Sequence, residues 1–416
     1  MEGLTHSDIT NIFVQISLML LAARIFAELA RKLKQPAVIG EIIVGIILGP
    51  SLFGLLFPDA FASIFPSSGG ASVVLDGLVQ ISVVLLLFIA GLEVELNVVW
   101  NQGRKALIIA FFSVFVPLLL GFAVAISFPS ILGLSSDLPF VYALFFGLSI
   151  SITGLAVLAR ILMDLEMFKT NNGLLMIAAA MIIDVLAWII FSIILSIKGD
   201  SPEGMGVVLT IGLTLGFTFL MLTIGKTIIN RMLPWINQKM AWPGGLLSIS
   251  LSLCFLAGAF TEYIGIHATF GAFVIGVALG DSEHMTEKAK EILHQFINNI
   301  FAPLFFISIG IKINFIADFD TTIVAVVVLL GFTTKVIGSY IGSKLSGIDT
   351  NNSLIIGFGL NSRGSVDIVL ALIALESGLI SEEIFIGLVI MALLSSIASG
   401  SIMKLISKKT HPKIAS

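Results

Sequence analysis

Cys254 is the only cysteine among 416 residues, so the chain has no disulfide framework and no cysteine-based metal site. Charge is scarce as well. Asp, Glu, Lys and Arg make up 12% of the chain, where soluble domains carry about 25%. Neither sign dominates: 22 basic residues stand against 26 acidic ones, and the net charge of -4 offers a polyanion no surface. The five histidines (His6, His267, His284, His294, His411) fall at no metal-ligand spacing. These shortages exclude an ordinary cytosolic enzyme, a disordered chain and a nucleic-acid binder. What the chain has instead is apolar surface. Hydrophobic residues make up 57%, with 39 glycines and 32 phenylalanines, a composition that suits closely packed membrane helices.

A helix crosses the hydrocarbon core with about 20 apolar residues. On that measure the sequence predicts an all-α polytopic membrane protein with 13 spans. They are Ile9–Ala30, Val38–Leu56, Val73–Leu92, Ala106–Phe128, Pro139–Met163, Gly173–Ile197 and Met205–Ile229 in the first part. Gly244–Ile264, His267–Gly280, Ile300–Ile311, Thr321–Lys344, Ser353–Leu375 and Glu382–Ile406 follow. The ninth and tenth are too short for a straight crossing. Either they start inside the protein, or the amphipathic stretch Asp281–Asn299 extends them. The first span carries Arg24 and Glu28 and does not read as a cleaved signal peptide.

Lys and Arg in the loops set the orientation. With the N-terminus outside, 17 basic residues fall on inside loops and span ends, and only Lys198 and Lys312 fall outside. Arg24, Lys335 and Arg363 lie within spans. The expectation is a multi-pass protein of the cell membrane with a cytoplasmic C-terminus and no soluble regulatory domain on this chain.

The chain repeats itself. Pro36-Ala-Val-Ile-Gly-Glu-Ile-Ile-Val-Gly-Ile-Ile-Leu-Gly49 matches His267-Ala-Thr-Phe-Gly-Ala-Phe-Val-Ile-Gly-Val-Ala-Leu-Gly280 at five of 14 positions. Leu86-Leu-Phe-Ile-Ala-Gly-Leu-Glu93 resembles Leu304-Phe-Phe-Ile-Ser-Ile-Gly-Ile-Lys312 with one inserted residue. Gly147 and Gly154 then superpose on Gly357 and Gly364 at a single offset. Residues 36–198 and 267–406 are thus expected to be two five-helix repeats. An extra helix precedes them (1–35), linking helices join them (199–266), and a short cytosolic tail follows (407–416). Span two starts inside and span nine outside, so the repeats are inverted. Inverted repeats with interrupted helices meeting at the midplane mark secondary transporters. The interruptions are expected in Gly147-Leu-Ser-Ile-Ser-Ile-Thr-Gly154 and Gly357-Phe-Gly-Leu-Asn-Ser-Arg-Gly364, where small and hydroxyl residues replace good helix formers.

A charge at mid-membrane costs about 2.5–3.5 kcal/mol on insertion scales, so each needs a partner or a task. Asp184 lies near the centre of span six and Lys335 near the centre of span eleven. Arg363 and Asp367 stand one helical turn apart in span twelve, and Thr153 adds a hydroxyl in span five. A buried carboxylate is a hard, titratable oxygen donor. Asp184 therefore reads as the ligand of an alkali cation, Na⁺ or K⁺, that also takes a proton. Lys335 reads as its compensating charge. Ser151, Asn361, Arg363 and Asp367 line the ion path or form structural bonds; for Arg363 and Asp367 an (i, i+4) pair is the alternative. Arg24 and Glu28 read as a structural pair. Glu41 and Glu93 sit near inner span ends, where funnel and packing roles compete. His284 and His294 read as part of a solvated helix face.

The run Lys34-Gln-Pro-Ala-Val-Ile-Gly-Glu-Ile-Ile-Val-Gly-Ile-Ile-Leu-Gly-Pro50, with Phe88-Ile-Ala-Gly-Leu-Glu93, Ile152-Thr-Gly-Leu-Ala-Val-Leu-Ala-Arg160 and Asp184-Val-Leu-Ala-Trp188, resembles the monovalent cation:proton antiporter superfamily. The nearest branch holds bacterial sodium/proton antiporters, Kef-type systems and plant cation/proton exchangers. The resemblance implies a homodimer embedded in lipid, with a core domain and a dimerisation domain that takes in residues 199–266. It implies exchange of Na⁺, Li⁺ or K⁺ for H⁺ by elevator-type alternating access, without a cofactor. Asp184 matches the family's cation- and proton-binding aspartate, Lys335 the basic residue of the facing helix, and Thr153 the polar position of the unwound crossing. Arg363-Gly364 matches a basic-glycine pair, and Asp367 an acid three residues after that glycine. Ile183 stands where the family usually has Asp or Asn.

The same residues admit other readings. A K⁺-selective efflux system is the runner-up, followed by a sodium-coupled organic-anion symporter and a non-transporting sensor. An intramembrane protease needs a Ser/His pair or two aspartates at apposed helical positions in signature motifs; only Asp184 and Asp367 could serve, and neither lies in such a motif.

Overall fold

A computed structural model describes residues 4–32, 37–132, 139–198 and 207–410. Lys34, Gln35 and Pro36 of the Lys34–Pro50 run, the 199–206 connection and the tail from 411 lie outside the described residues. The described chain is helical. It opens with α1 (His6–Lys32), α2 (Ala37–Leu48), the short α3 (Phe53–Leu56) and α4 (Pro58–Ile64), and α5 (Gly70–Leu92). Then come α6 (Leu96–Ser127, kinked at Gly103), α7 (Pro139–Ser149), α8 (Leu155–Asp164) and α9 (Asn171–Lys198). α10 (Val207–Leu220) runs through a π-helical turn at Met221–Gly225 into α11 (Lys226–Lys239). α12 (Gly244–Tyr263), α13 (Ala268–Gly280), α14 (Glu287–Lys312) and α15 (Thr321–Leu345) follow. The chain closes with α16 (Thr350–Gly359), α17 (Ser365–Glu376) and α18 (Glu382–Thr410).

Ten helices among the described residues are long and apolar enough to cross a membrane, and Pro139–Ser149 and Ala268–Gly280 are shorter apolar ones. The ten long helices fall on spans one to four, six to eight, ten, eleven and thirteen of the sequence reading, and the two shorter ones on spans five and nine. Spans five and twelve are each split in two, as α7/α8 and α16/α17. The tenth span gains its length from the polar turns at the start of α14, one of the two options the sequence left open. Thr286 starts that helix, its hydroxyl accepting from the Ala289 amide at 3.3 Å.

The chain forms two compact units. The first comprises Met1–Glu93, Thr218–Tyr263 and His267–Phe319. The second comprises Val94–Phe217, Ile264–Ile266 and Asp320–Ser416. The units cut across the sequence repeats: each repeat gives its first two spans to the first unit and its last three to the second.

Within the first unit the repeat motifs pack in a swapped pattern. α2 lies on α14 with Gly45 against Gly310, where a Cβ on Gly45 would stand 3.1 Å from the Gly310 Cα. α13 lies on α5 with Gly276 against Gly91, and there the same distance is again 3.1 Å. Gly45 matches Gly276 and Gly91 matches Gly310 in the repeat, so both contacts are one contact made twice. Backbones this close leave room for no side chain. Glu28 accepts from Arg24 at 2.8 Å and from Arg31 at 2.7 Å on α1, the structural pair expected there with a second arginine added. Lys226 of α11 pairs with Asp281, and Ser282 donates to Asn230, which ties the loop after α13 to α11.

In the second unit α6 packs on α15, α7 and α9, and α18 packs on α15, α16 and α17. The two split spans are held inside this frame.

Candidate functional site

α7 stops at Ser149 and α8 starts at Leu155; α16 stops at Gly359 and α17 starts at Ser365. The unwound pieces, 150–154 and 360–364, contain Thr153 and Asn361, where the sequence places the breaks. Local chemistry explains the stops. Hydroxyls fold back on the last-turn carbonyls: Ser149 to Phe146 at 2.8 Å, Ser151 to Leu148 at 2.7 Å, Ser362 to Gly359 at 2.8 Å. The pieces cross at their glycines. A Cβ on Gly154 would lie 2.7 Å from the Gly364 Cα, and the Gly154 amide donates to Ser362 O at 2.8 Å. Thr153 Oγ1 donates to Leu360 O at 2.7 Å. Its proton is thereby committed, and its oxygen lone pairs stay available to a cation.

All seven site residues expected from the sequence lie in the second unit, and none is more than 7% exposed. Asp184 is in the middle of α9. Lys335 is in the middle of α15 and is fully buried; its Nζ donates to the main-chain oxygens of Ser113 (3.2 Å) and Ser151. Lys335 also interacts electrostatically with Arg363, Asp367 and Asp184, so the structure brings all four charges into one neighbourhood. Arg363 spreads its guanidinium over Ser149 O (3.2 Å), Ile150 O and Gly331 O (3.5 Å), and pairs with Asp367 Oδ1 at 3.4 Å. The other Asp367 oxygen accepts from the Gly364 amide at 2.7 Å and caps α17. The (i, i+4) pair, one of the two readings open for these residues, is formed, and it stitches the two breaks together.

The carbonyls freed at the end of α7 are therefore taken by basic side chains rather than left for an ion. Those of 149 and 150 go to Arg363 and that of 151 to Lys335. At the end of α16 a hydroxyl and an amide do the same work, with no charge involved. Asn361 is fully buried, and neither of its amide atoms has a hydrogen-bond partner among the described residues. The sequence reading missed Ser113, whose carbonyl holds Lys335; the signal for it is Pro117, one turn further along α6. Glu41 and Glu93 fall in the first unit, where Glu93 faces His294 at 3.8 Å, so that histidine is less solvated than its polar segment implied.

A membrane-spanning fold in which two interrupted helices cross beside buried acids and bases has the build of a secondary transporter. The chain belongs to the family of transmembrane sodium/hydrogen exchangers, whose model matches residues 16–409. It is 30% identical over 409 residues to the Na(+)/H(+) antiporter NhaS4 of Synechocystis sp., covering 95% of this chain and 96% of the relative. It is 29% identical over 394 residues to the Na(+)/H(+)-K(+) antiporter GerN of Bacillus cereus, covering 94% and 95%. Cation/H(+) antiporter 17 of Arabidopsis thaliana is 30% identical over 395 residues, 92% of this chain. The chain spans about half that plant relative, 47% of its length. Among solved structures, the sodium proton antiporter MjNhaP1 of Methanocaldococcus jannaschii superposes with a TM-score of 0.68 at 17% identity, covering 97% of this chain and 99% of that one. That likeness establishes the fold. The family resemblance read from the motifs is correct, and these proteins are transporters rather than enzymes.

Proposed function

We propose that the chain exchanges a monovalent alkali cation, Na⁺, Li⁺ or K⁺, for H⁺ at one site built around Asp184. The observation that carries this reading is the buried set of Asp184, Asp367, Lys335 and Arg363 beside two crossing, interrupted helices. With every group ionised the set sums to zero. One Na⁺ and one H⁺ each raise it to +1, so the two loaded forms carry the same charge through a low-dielectric interior. Of the two acids, Asp367 is committed to Arg363 and to the cap of α17. Asp184 is then the acid that binds cation and proton in turn.

Thr153 and Asn361 are the neutral oxygen ligands in this reading, one from each break. Lys335 is the compensating charge. Ser151, Arg363 and Asp367 shape the crossing. Alternating access is of the elevator type, carried by the second unit, and the working form is a homodimer in the cell membrane with the N-terminus outside. The activities for which NhaS4 and GerN are named support the cation class and span both Na⁺ and K⁺.

Proteoliposomes holding an imposed ΔpH test it. Addition of Na⁺, Li⁺ or K⁺ outside should dequench an internal pH dye, with one of the three most effective. Absence of dequenching by all three across pH 6–9 would remove the proposal.

A further inference from the structure

Pro117 sits inside α6. Proline has no amide hydrogen, so the carbonyl four residues earlier, that of Ser113, receives no helical bond from it. A bare carbonyl inside a spanning helix needs another donor. The donor here is Lys335 Nζ at 3.2 Å. The second acceptor of that nitrogen, Ser151 O, lies in the unwound 150–154 piece. Both acceptors are main-chain oxygens released by a defect in a helix, one a proline and the other a break. One turn along α15 from Lys335, the hydroxyls of Ser339 and Ser113 meet at 2.8 Å and fix the register of the two helices. Ile183, beside Asp184, is fully buried, and its side chain offers no acceptor.

We propose that Pro117 is a positioning residue: by releasing Ser113 O, it seats the Lys335 ammonium on backbone carbonyls and keeps it from closing onto Asp184. This deepens the assignment of Lys335 as the compensating charge and rests on it. A carbonyl accepts the ammonium hydrogen without supplying a full negative charge. The lysine therefore still compensates the acids around it, Asp184 from α9 and Asp367 from α17, with Arg363 opposing from the 360–364 piece. Without the free carbonyl, the ammonium loses one of its two acceptors; Asp367 already holds Arg363 and the Gly364 amide, so the ammonium turns to Asp184 and competes with the cation there.

Pro117→Ala restores the amide hydrogen, which then takes Ser113 O back into the helix. Two measurements follow. The first is the melting temperature of the purified protein. Pro117→Ala should lower Tm by about 2–4 °C when Lys335 is present. In a Lys335→Met background it should raise Tm or leave it unchanged, because there it only completes a helical bond. Pro303→Ala in α14, a helical proline of the first unit, should act the same way in both backgrounds. An equal effect of Pro117→Ala in both backgrounds overturns the proposal and leaves Pro117 as a simple bend. The second measurement is transport. Pro117→Ala should raise the cation KM about tenfold with kcat little changed, the mark of a competing ligand. A fall in kcat at constant KM, or no change in either, also overturns it. If Pro117→Ala does not fold, Pro117→Gly restores the same amide and is read the same way. The Tm comparison needs no transport, so it stands even if the one-carboxylate exchange fails.

Discussion

Thr153 and Arg363 reach across the crossing in opposite directions: Thr153 Oγ1 donates to Leu360 O at 2.7 Å, and Arg363 Nη2 donates to Ile150 O. The repeat that aligns Gly147 with Gly357 and Gly154 with Gly364 also aligns 153 with 363 and 150 with 360. The same bond is therefore made twice, once by a hydroxyl and once by a guanidinium. The symmetry belongs to the backbone and the asymmetry to the charge. Arg363 brings a positive charge to the crossing and Asp367 balances it at 3.4 Å.

That asymmetry sets the cost of losing each side chain. Thr153→Val leaves one carbonyl short of a neutral partner, a loss of about 1–2 kcal/mol. Arg363→Ala strands a buried carboxylate and uncovers the Ser149 and Ile150 carbonyls, a loss of about 3–5 kcal/mol. Removing Asp367 as well should recover part of it. Thermal unfolding of Thr153→Val, Arg363→Ala and Arg363→Ala/Asp367→Ala checks the order. Equal losses for the first two would show that the charge at the crossing does not matter.

The glycines of the crossing are not equivalent either. A Cβ on Gly154 would lie 2.7 Å from the Gly364 Cα, against main-chain atoms that cannot step aside. A Cβ on Gly364 has its nearest neighbour at 3.1 Å, and the extended backbone there (φ -149°, ψ -164°) suits any residue. Gly154→Ala should therefore abolish folded protein or transport, and Gly364→Ala should retain both at reduced level. Fluorescence size-exclusion chromatography with a transport assay would show the reverse ranking if the crossing closes in some other way.

Asp184→Asn keeps the shape of the side chain and removes its charge. Exchange should fall to the rate of empty liposomes while the melting temperature stays within a few degrees of the wild type. Asp367→Asn, by contrast, should cost stability first, because that acid pairs Arg363 and caps α17. Measurable exchange by purified Asp184→Asn would move the ion to another acid.

The breaks at Thr153 and Asn361 were legible because serine, asparagine and glycine in mid-span have a local effect: they compete for backbone bonds and lower helix propensity. The swapped packing of Gly45 on Gly310 and Gly276 on Gly91 was half legible, since the repeat was visible but its contacts were not. Neighbours in a repeat motif say nothing of which spans touch, so the division into two units could not be read in order along the chain. The seat of Lys335 was not legible. Its acceptors are carbonyls, which every residue has, and Ser113 lies 222 positions away. Only Pro117 marks the place, and a proline in a membrane span is too common to point to one partner.

The response to voltage reports how many protons move per cation. Lys335 is fully buried, and its nitrogen is seated on Ser113 O and Ser151 O. These carbonyls keep their dipoles whether or not a cation is bound at Asp184, so cation binding takes no acceptor from the ammonium. Asp367 is bound to Arg363 and to the Gly364 amide through both oxygens. In the proposed exchange Asp184 then alternates between one H⁺ and one monovalent cation. Equal charge then crosses in each direction and exchange is electroneutral. A potential imposed with K⁺ and valinomycin, with Na⁺ as the transported ion, should alter neither the initial rate nor the end point of pH-dye dequenching. The alternative is that Lys335 releases its proton when the cation binds. Two H⁺ would then move per cation, and an inside-negative potential would drive Na⁺ out of the vesicles against its gradient. If the wild type responds to voltage in this way and Lys335→Gln does not, the second proton belongs to the lysine and the electroneutral prediction is wrong.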